Sequence, residues 1–334
     1  MKLLSISIAA YNAESTLEKC INSMIKSNHR KELEILIVND GSTDNTVKIA
    51  KNYENKYPDT VKVIDKENGG HGSTINVGVS VATGLYFKTV DADDWVETEN
   101  LDTLIEKLTG VADLVVNPYY EVNAKTGQKR KKEVCDLTVN YEQVYDFKDC
   151  VSNIKIAMHS MTIKTSILKN MNIKIDEKCF YVDMEYTLFP LPMIEKVVFL
   201  KDPVYDYLLG TSTQSMNLNV FISRRKQHER VLLRLFDYYN ELDNKEDSRS
   251  EAIKNRIVAA TYIQYRIILM LPIKDSFVEM VAFDKTVPDE IFADISGRTK
   301  TLLKFFRKTN YKGYRFSVSI LKMLKVIKMD EKVL

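Results

Sequence analysis

Two hydrophobic periodicities alternate along the first 117 residues, and this alternation constrains the fold more than any other feature of the sequence. Short apolar runs, typical of buried strands, are separated by amphipathic stretches of helical period. The predicted strands are 3–9, 33–38, 61–65, 85–90 and 113–117, and the predicted helices are 13–27, 44–57, 73–82 and 100–108. This order predicts an α/β fold, a Rossmann-type, mostly parallel sheet flanked by helices.

The alternation stops after Tyr120, so the rest of the chain has a different organisation. Residues 123–132 carry Thr126-Gly127 at their centre and predict a β-hairpin with a charged edge. From about residue 220 the pattern is helical, with a polar break at 240–250 and a helix over 253–271. We therefore expect an α/β domain at 1–219 and a mainly helical region at 220–334.

Charge and cysteine content exclude several classes of protein. The 48 basic and 46 acidic residues give a net charge of +2. This charge is too balanced for a protein whose whole surface binds nucleic acid. The four cysteines match neither a zinc motif nor a dense disulfide framework. With no apolar run of spanning length and no convincing signal peptide, the sequence predicts a cytoplasmic protein.

The last 38 residues are strongly basic. Eleven Lys or Arg and two acidic residues lie in 297–334. As a helix, 315–332 would place Phe316, Ile320, Met323, Leu324 and Ile327 on one arc, and Lys322, Lys325, Lys328 and Lys332 on another. Two interpretations stay open: an anionic membrane surface binds this helix on the inner face of the cell membrane, or the apolar arc packs on its own domain.

Carboxylates follow two strands of the predicted sheet. Asp40 ends the second strand, and Asp91, Asp93 and Asp94 end the fourth. Ligands bind beyond the carboxyl ends of parallel strands, and hard carboxylate oxygens suit Mg²⁺ or Mn²⁺ shared with a diphosphate. The alternative is that Asp93 or Asp94 only caps a helix beginning near Val96.

A glycine-rich bend, Asn68-Gly69-Gly70-His71-Gly72, lies between these acidic clusters. It allows the backbone to approach a phosphate or sugar, or it serves only close strand–helix packing. Neither a G-x-G-x-x-G nor a Walker A motif is present. His71 is a candidate donor contact and Trp95 a candidate sugar platform, with a structural role as the alternative for each.

Four blocks together resemble the successive motifs of the family 2 glycosyltransferases. They are SIAAYNAE at 7–14, VNDGSTD at 38–44, NGG at 68–70 with Asn76 and Gly78, and ATG at 82–84 leading to DADDW at 91–95. The family's later elements are similar to YVDMEY at 181–186 and LGTSTQSM at 209–216. The resemblance implies a GT-A fold, a nucleotide-diphosphate sugar donor, a Mn²⁺ or Mg²⁺ ion and an inverting displacement.

Roles for individual residues follow from this resemblance. It implies Asp93 as the metal ligand and Asp183 as the catalytic base, with Glu185 as its rival and a surface or capping role as the alternative. The donor-binding residues that it implies are Ala9, Tyr11, Asp40, Asn68, Gly69, Gly70, Asp91, Gln214 and Ser215, with Asp40 facing the base, usually uracil. Ala9, Ile75 and Val182 depart from the common Pro, Arg and Glu, and the loss of that Arg removes a charge near Asp40.

The sequence thus favours an inverting glycosyltransferase. Its expected donor is a nucleotide-diphosphate sugar, with UDP as the expected nucleotide, and its expected acceptor is a hydroxyl of a cell-surface polysaccharide or lipid-linked glycan. A nucleotide-sugar-binding scaffold without turnover and a nucleotidyltransferase are the alternatives. Sugar, linkage and oligomeric state, a homo-oligomer included, stay open.

Overall fold

The computed structural model describes residues 2–136, 138–171, 173–210 and 218–323, with residue 298 described by its backbone alone. Backbone contacts divide the chain into two compact units, Met1–Ser212 and Thr213–Leu334. The predicted closing-loop residues Gln214 and Ser215, and tail residues 324–332, lie outside the described residues.

The first unit contains twelve strands and seven α-helices among its described residues. Its strands are β1 Leu4–Ala10, β2 Leu33–Asp40, β3 Val61–Lys66, β4 Tyr86–Asp91, β5 Trp95–Val96, β6 Leu114–Val116, β7 Tyr119–Asn123, β8 Lys129–Lys132, β9 Val144–Asp146, β10 Met161–Lys164, β11 Lys196–Phe199 and β12 Tyr205–Leu209. Its helices are α1 Leu17–Ile25, α2 Thr46–Lys56, α3 His71–Val81, α4 Thr98–Glu106, α5 Phe147–Cys150, α6 Thr165–Asn170 and α7 Asp183–Leu188.

The main sheet has eight strands in the order β3-β2-β1-β4-β10-β6-β11-β9. Strands β1 to β4 are parallel, as the alternating periodicity predicts. Strand β10 is inserted between β4 and β6 and runs antiparallel to both. The α/β class and the mostly parallel sheet are therefore confirmed, but the fifth predicted strand is not the neighbour of the fourth.

Nearly continuous apolar strands place the centre of this sheet in the core. The side chains of Ile6, Ile8, Ile35 and Ile37 are fully buried, and α1 covers them with its apolar face. Such burial on both sides is what parallel strands between helices require. In this register Asp91 of β4 lies beside Ala9 of β1, so the strand ends form one rim.

A second sheet, in the order β5-β12-β7-β8, supports that rim. Strands β7 and β8 pair antiparallel around a turn in which Gly127 has a φ of 70°, which confirms the predicted hairpin. Strand β12 pairs with β5, directly after the aspartate cluster, and with β7. The second sheet thus brings residues from far along the chain to the end of β4.

The start of helix α2 differs from the sequence prediction. The helix begins at Thr46, with Asn45 in the capping position, two residues later than the predicted start at residue 44. The Oδ1 atom of Asp44 instead accepts from the backbone N–H of Thr46 at 2.9 Å. Ser42 and Thr43 bond to Asn12 of the loop after β1 and tie two rim loops together.

The described part of the second unit is helical. Its helices are α8 Leu218–Asn240, α9 Ser248–Met270, α10 Ile273–Asp284, α11 Asp289–Asp294, α12 Gly297–Lys308 and α13 Tyr314–Met323. Its core contains the buried side chains of Leu235, Ile257, Phe283, Leu303 and Phe306. Among the helices that the structure describes, none combines the length and apolarity needed to cross a membrane.

Candidate active site

Three aspartates converge at the end of β4. Oxygen atoms of Asp91, Asp93 and Asp94 lie within 4.8 Å of one another. Asp93 is exposed and Asp91 half-buried, whereas Asp94 is only 1% exposed. Carboxylate oxygens at this spacing are a donor set that fits Mg²⁺ or Mn²⁺, because phosphate and water oxygens usually complete the coordination of these ions.

Asp94 anchors this cluster to the second sheet. Its Oδ2 accepts from the hydroxyl of Tyr205 at 2.6 Å, and its Oδ1 accepts from the backbone N–H of Leu208 at 2.7 Å. Helix α4 begins at Thr98 with Glu97 in the capping position, so the alternative in which Asp93 or Asp94 caps that helix is wrong. Asp94 therefore fixes the end of β4 to the second sheet.

Mutual repulsion makes the cluster electrostatically unfavourable without a cation. Lost hydration and the nearby charge of Asp91 raise the pKa of Asp93 to about 6. Burial, together with Asp91 and Asp93, raises the pKa of Asp94 well above its usual range. A bound divalent cation would offset this repulsion, which is the electrostatic reason to expect one here.

His71, the first residue of α3, pairs with Asp91 across the rim. Its Nε2 lies 2.9 Å from Oδ1 of Asp91. Burial alone would lower the pKa of His71, but Asp91 raises it above the ordinary value, and the carboxylates of Asp183 and Asp40 add to the rise. One imidazole thus lies in the electrostatic field of three of the predicted site residues.

Asp183 lies in the first turn of α7 and is exposed. Its negative charge also raises the pKa of Tyr207, after burial and the charges of Asp94 and Asp91. Asp183 and the aspartate cluster therefore share one electrostatic neighbourhood. The preceding Tyr181 has a φ of 68°, an uncommon conformation for a bulky residue, and such backbone strain concentrates at functional sites.

Glu185, the rival to Asp183, lies inside the protein. Its side chain is fully buried, and its Oε2 accepts from the backbone N–H of Asp176 at 2.7 Å. Val182, where the family commonly has Glu, is also buried, at 1% exposure. Glu185 thus holds the loop before α7, whereas the side chain of Asp183 is exposed.

Asp40, at the end of β2, organises the glycine bend. Its carboxylate accepts from the backbone N–H groups of Gly69 and Gly70, each at 2.8 Å, and from the Nζ of Lys66 at 2.7 Å. The two glycine amides therefore bond to Asp40, and direct donor contacts by Gly69 and Gly70 stay a prediction. Asp40 is only 3% exposed, and its contact with a nucleobase also stays a prediction.

Lys66 supplies a positive charge that the sequence analysis missed. Ile75, where the family often has Arg, is buried at 1% exposure and faces the core. The ammonium group of Lys66, from the end of β3, instead forms the ion pair with Asp40. The signal was present in the sequence, because Lys66 directly follows a predicted strand that ends on the same rim.

Gly72 permits close contact between α3 and the loop that leads to Asp183. A Cβ atom on Gly72 would lie 2.0 Å from the backbone oxygen of Asp176. Replacing glycine with alanine inside a helix normally raises the stability of the helix by about 1 kcal/mol. Because the clash here involves backbone, we expect Gly72→Ala to lower the free energy of unfolding by about 1–3 kcal/mol.

Urea unfolding followed by the fluorescence of Trp95 measures this effect, since Trp95 is the one tryptophan of the chain and lies in the first unit. Ser80→Ala, at an exposed position of the same helix, is the control, and we expect it to be neutral or slightly stabilising. A stabilised Gly72→Ala protein would contradict the close contact between the helix and the loop.

The remaining predicted residues lie along the same rim or beside it. Ala9 is half-buried near the end of β1, Tyr11 is 56% exposed, and Asn68 donates to the backbone oxygen of Asp40 at 2.9 Å. Trp95 is half-buried in β5, and the Nζ of Lys19 lies 2.8 Å from the centre of its indole ring. A lysine therefore covers one face of the predicted sugar platform.

A pair of stacked rings near the aspartates was not predicted. The imidazole of His159 lies 4.2 Å from the ring of Tyr207, nearly parallel to it. Burial lowers the pKa of His159 to about 4, although Asp91 opposes this shift, so the imidazole is neutral at pH 7. Nothing in the local sequence indicates this pair, because its members come from β12 and from the segment before β10.

Comparison with known proteins supports the sequence resemblance. The family model described as "Glycosyl transferase family 2" matches residues 5–170. Glycosyltransferase GlyA of Streptococcus pneumoniae is 28% identical over 224 residues, which cover 64% of this chain and 31% of GlyA. The teichoic acid poly(glycerol phosphate) polymerase of Staphylococcus epidermidis is 25% identical over 231 residues, which cover 66% of this chain and 31% of the polymerase.

The chain thus matches about a third of the length of these two relatives. Its fold matches a crystal structure of S. aureus TarS, residues 1–349, in complex with UDP-GlcNAc. The TM-score is 0.70 at 19% identity, and the match covers 97% of this chain and 92% of that one. The chain therefore has the GT-A fold, and its residues 5–170 belong to glycosyl transferase family 2, whose model matches this part.

Proposed function

We propose that this chain transfers a sugar from a nucleoside diphosphate, with UDP as the favoured carrier, to a hydroxyl group of a cell-wall or cell-surface glycan. The observation that carries the proposal is the rim on which Asp91, Asp93, His71 and Asp183 share one electrostatic neighbourhood. The name of the teichoic acid polymerase and the UDP-GlcNAc in the TarS complex support the acceptor class and the donor class.

In this proposal Asp183 acts as the general base. An acceptor hydroxyl is a weak nucleophile, so a carboxylate must take its proton as the oxygen attacks the anomeric carbon. Attack from the side opposite the diphosphate inverts the anomeric configuration. Asp183 is exposed, as an entering acceptor requires, and the buried Glu185 of the same helix bonds to the loop before α7, which supports this role.

Asp91 and Asp93 are the residues that would hold Mn²⁺ or Mg²⁺. Such an ion, when bound, offsets the charge that develops on the leaving diphosphate. His71 holds the Asp91 carboxylate in place, and Asp94 holds the backbone of the cluster through Tyr205. Asp40 and Lys66 fix the glycine bend, and we assign the base pocket to Ala9, Tyr11, Asp40 and Asn68.

Donor binding should depend on the metal and on Asp93. With nucleotide sugars tested one at a time, we expect a UDP-sugar to raise the melting temperature in the presence of Mn²⁺. A ligand at a hundredfold excess over its Kd raises the free energy of unfolding by about 2.7 kcal/mol. In Asp93→Asn the metal-dependent part of this rise should disappear. Asp149→Asn, an exposed aspartate on α5, is the matched control and should keep it.

Product analysis completes this experiment. Released UDP and a glycosylated acceptor would support the proposal, whereas released pyrophosphate would identify a nucleotidyltransferase. An unchanged metal-dependent shift in Asp93→Asn would remove the metal role of Asp93. A donor-dependent shift without turnover on any glycan acceptor would favour a binding protein and contradict the transferase.

A further inference from the structure

The last described helix, α13, has apolar side chains on two opposite sides. At about 100° per residue, Phe316, Ile320 and Met323 share one side, and Tyr314 and Val318 share the other. Tyr314 and Val318 are buried at 1% and 0% exposure, whereas Phe316 and Met323 are 73% and 74% exposed. The arc that one interpretation of the sequence packs against its own domain therefore points outward at these two positions.

Packing within the second unit holds this orientation. The ring of Tyr314 lies 4.6 Å from that of Phe306 in α12, and its hydroxyl lies 2.7 Å from the Oγ of Ser276 in α10. These contacts are on the inner side of α13. The outward position of Phe316 thus follows from how the helix is anchored, since rotating it inward would break both contacts.

Exposed cations occur on the same two helices as these exposed apolar side chains. In α12, Lys304, Phe305 and Lys308 fall within about 100° of one another, and all three are exposed. Lys312 and Arg315 are exposed at the start of α13 and just before it. The sequence contains no Asp or Glu between residues 297 and 323. We call Lys304, Phe305, Lys308, Lys312, Arg315, Phe316 and Met323 the basic apolar face.

Two further cations of this region bond to other groups of the second unit, so they do not belong to the basic apolar face. Arg307 forms an ion pair with the buried Asp284 at 2.8 Å, and the Nζ of Lys322 donates to the backbone oxygen of Leu271.

A cleft of about 390 Å³ opens beside Phe316 and is lined also by Phe277, Tyr311 and Arg315. Its walls combine aromatic rings with one guanidinium group.

We propose that the basic apolar face binds the surface of an anionic lipid bilayer. Lysines attract acidic headgroups, and Phe316, Phe305 and Met323 enter the boundary between headgroups and acyl chains, where their exposure to water ends. A soluble polyanion would account for the cations alone and leave these apolar side chains in water. This inference goes beyond the proposed function and does not depend on transferase activity.

Vesicle co-sedimentation of the full chain tests the proposal. We expect binding to vesicles that contain phosphatidylglycerol, weaker binding as salt rises, and little binding to phosphatidylcholine alone. Reversing three charges with Lys304→Glu, Lys308→Glu and Lys312→Glu should weaken binding about a hundredfold or more, and Phe316→Ser with Met323→Ser about tenfold or more.

Matched controls change equivalent groups elsewhere. Lys26→Glu, Lys62→Glu and Lys125→Glu reverse three exposed charges in the first unit, and Val111→Ser replaces a side chain that is 58% exposed. Circular dichroism melting verifies that all variants fold. Equal vesicle binding by the variants and their controls would overturn the proposal, as would tight binding to soluble polyphosphate with none to anionic vesicles.

Discussion

Replacing Asp183 with asparagine should lower the rate of sugar transfer by about 10²- to 10⁴-fold, the usual contribution of a positioned general base. Asparagine has nearly the same shape but cannot take the acceptor proton at neutral pH. Because Asp183 is exposed, the variant should fold normally. We therefore expect the loss in kcat, with the donor-induced thermal shift in Mn²⁺ unchanged.

Two neighbouring carboxylates make this experiment specific. Glu177→Gln removes an exposed charge six residues earlier, whose carboxylate accepts from the side chain of Asn76, and it should leave kcat within a few fold. Glu185→Gln alters the buried group that accepts from the Asp176 amide, so it should lower stability. A kcat for Asp183→Asn equal to that of the wild type would exclude Asp183 as the base.

Replacing Asp40 with asparagine should lower the free energy of unfolding of the first unit by about 3 kcal/mol or more, because it leaves the partly buried Lys66 without its counter-charge. The substitution also replaces one of the two acceptor oxygens with an NH₂ group, which would face either the Gly70 N–H or both the Gly69 N–H and the Lys66 ammonium group. The bend before α3 would lose one of the two acceptor atoms around which it is built.

Urea unfolding with Trp95 fluorescence measures this loss, and Asp59→Asn, at an exposed loop position, is the control. The Asp40→Asn variant also separates two roles of Asp40. If Asp40 only contacts the nucleobase, its stability will match that of the control and only its affinity for uridine nucleotides will fall. That result would contradict the organising role that we infer from the glycine amides and Lys66.

Much of the donor side of the site could be predicted because it is encoded locally. The apolar runs ending at Asp40 and Asp91 identify strands, and parallel strands bring their carboxyl ends to one rim. The turn at Gly127 was likewise predictable, since its residues favour a hairpin by themselves. Local periodicity therefore sufficed to identify strands β1 to β4 and their parallel arrangement.

Features that depend on contacts between distant segments could not be predicted. Strand β10, 70 residues after β4, enters the sheet beside it because of pairing that no local pattern encodes. Asp94 was interpreted as a possible helix cap because its true partner, Tyr205, is 111 residues away. The pairing of Lys66 with Asp40 required the bend between them to be known in three dimensions.

By itself, the sequence determined the alternating fold, the family motifs and the chemical nature of the rim, since each depends on residue type and short spacing. Only the tertiary structure decided which aspartates of the rim are buried and which are exposed, that Glu185 points inward while Asp183 is exposed, and that Phe316 and Met323 face outward. Each of these outcomes depends on whether a side chain is buried. Burial results from packing between segments that are distant in the sequence, so no single segment predicts it.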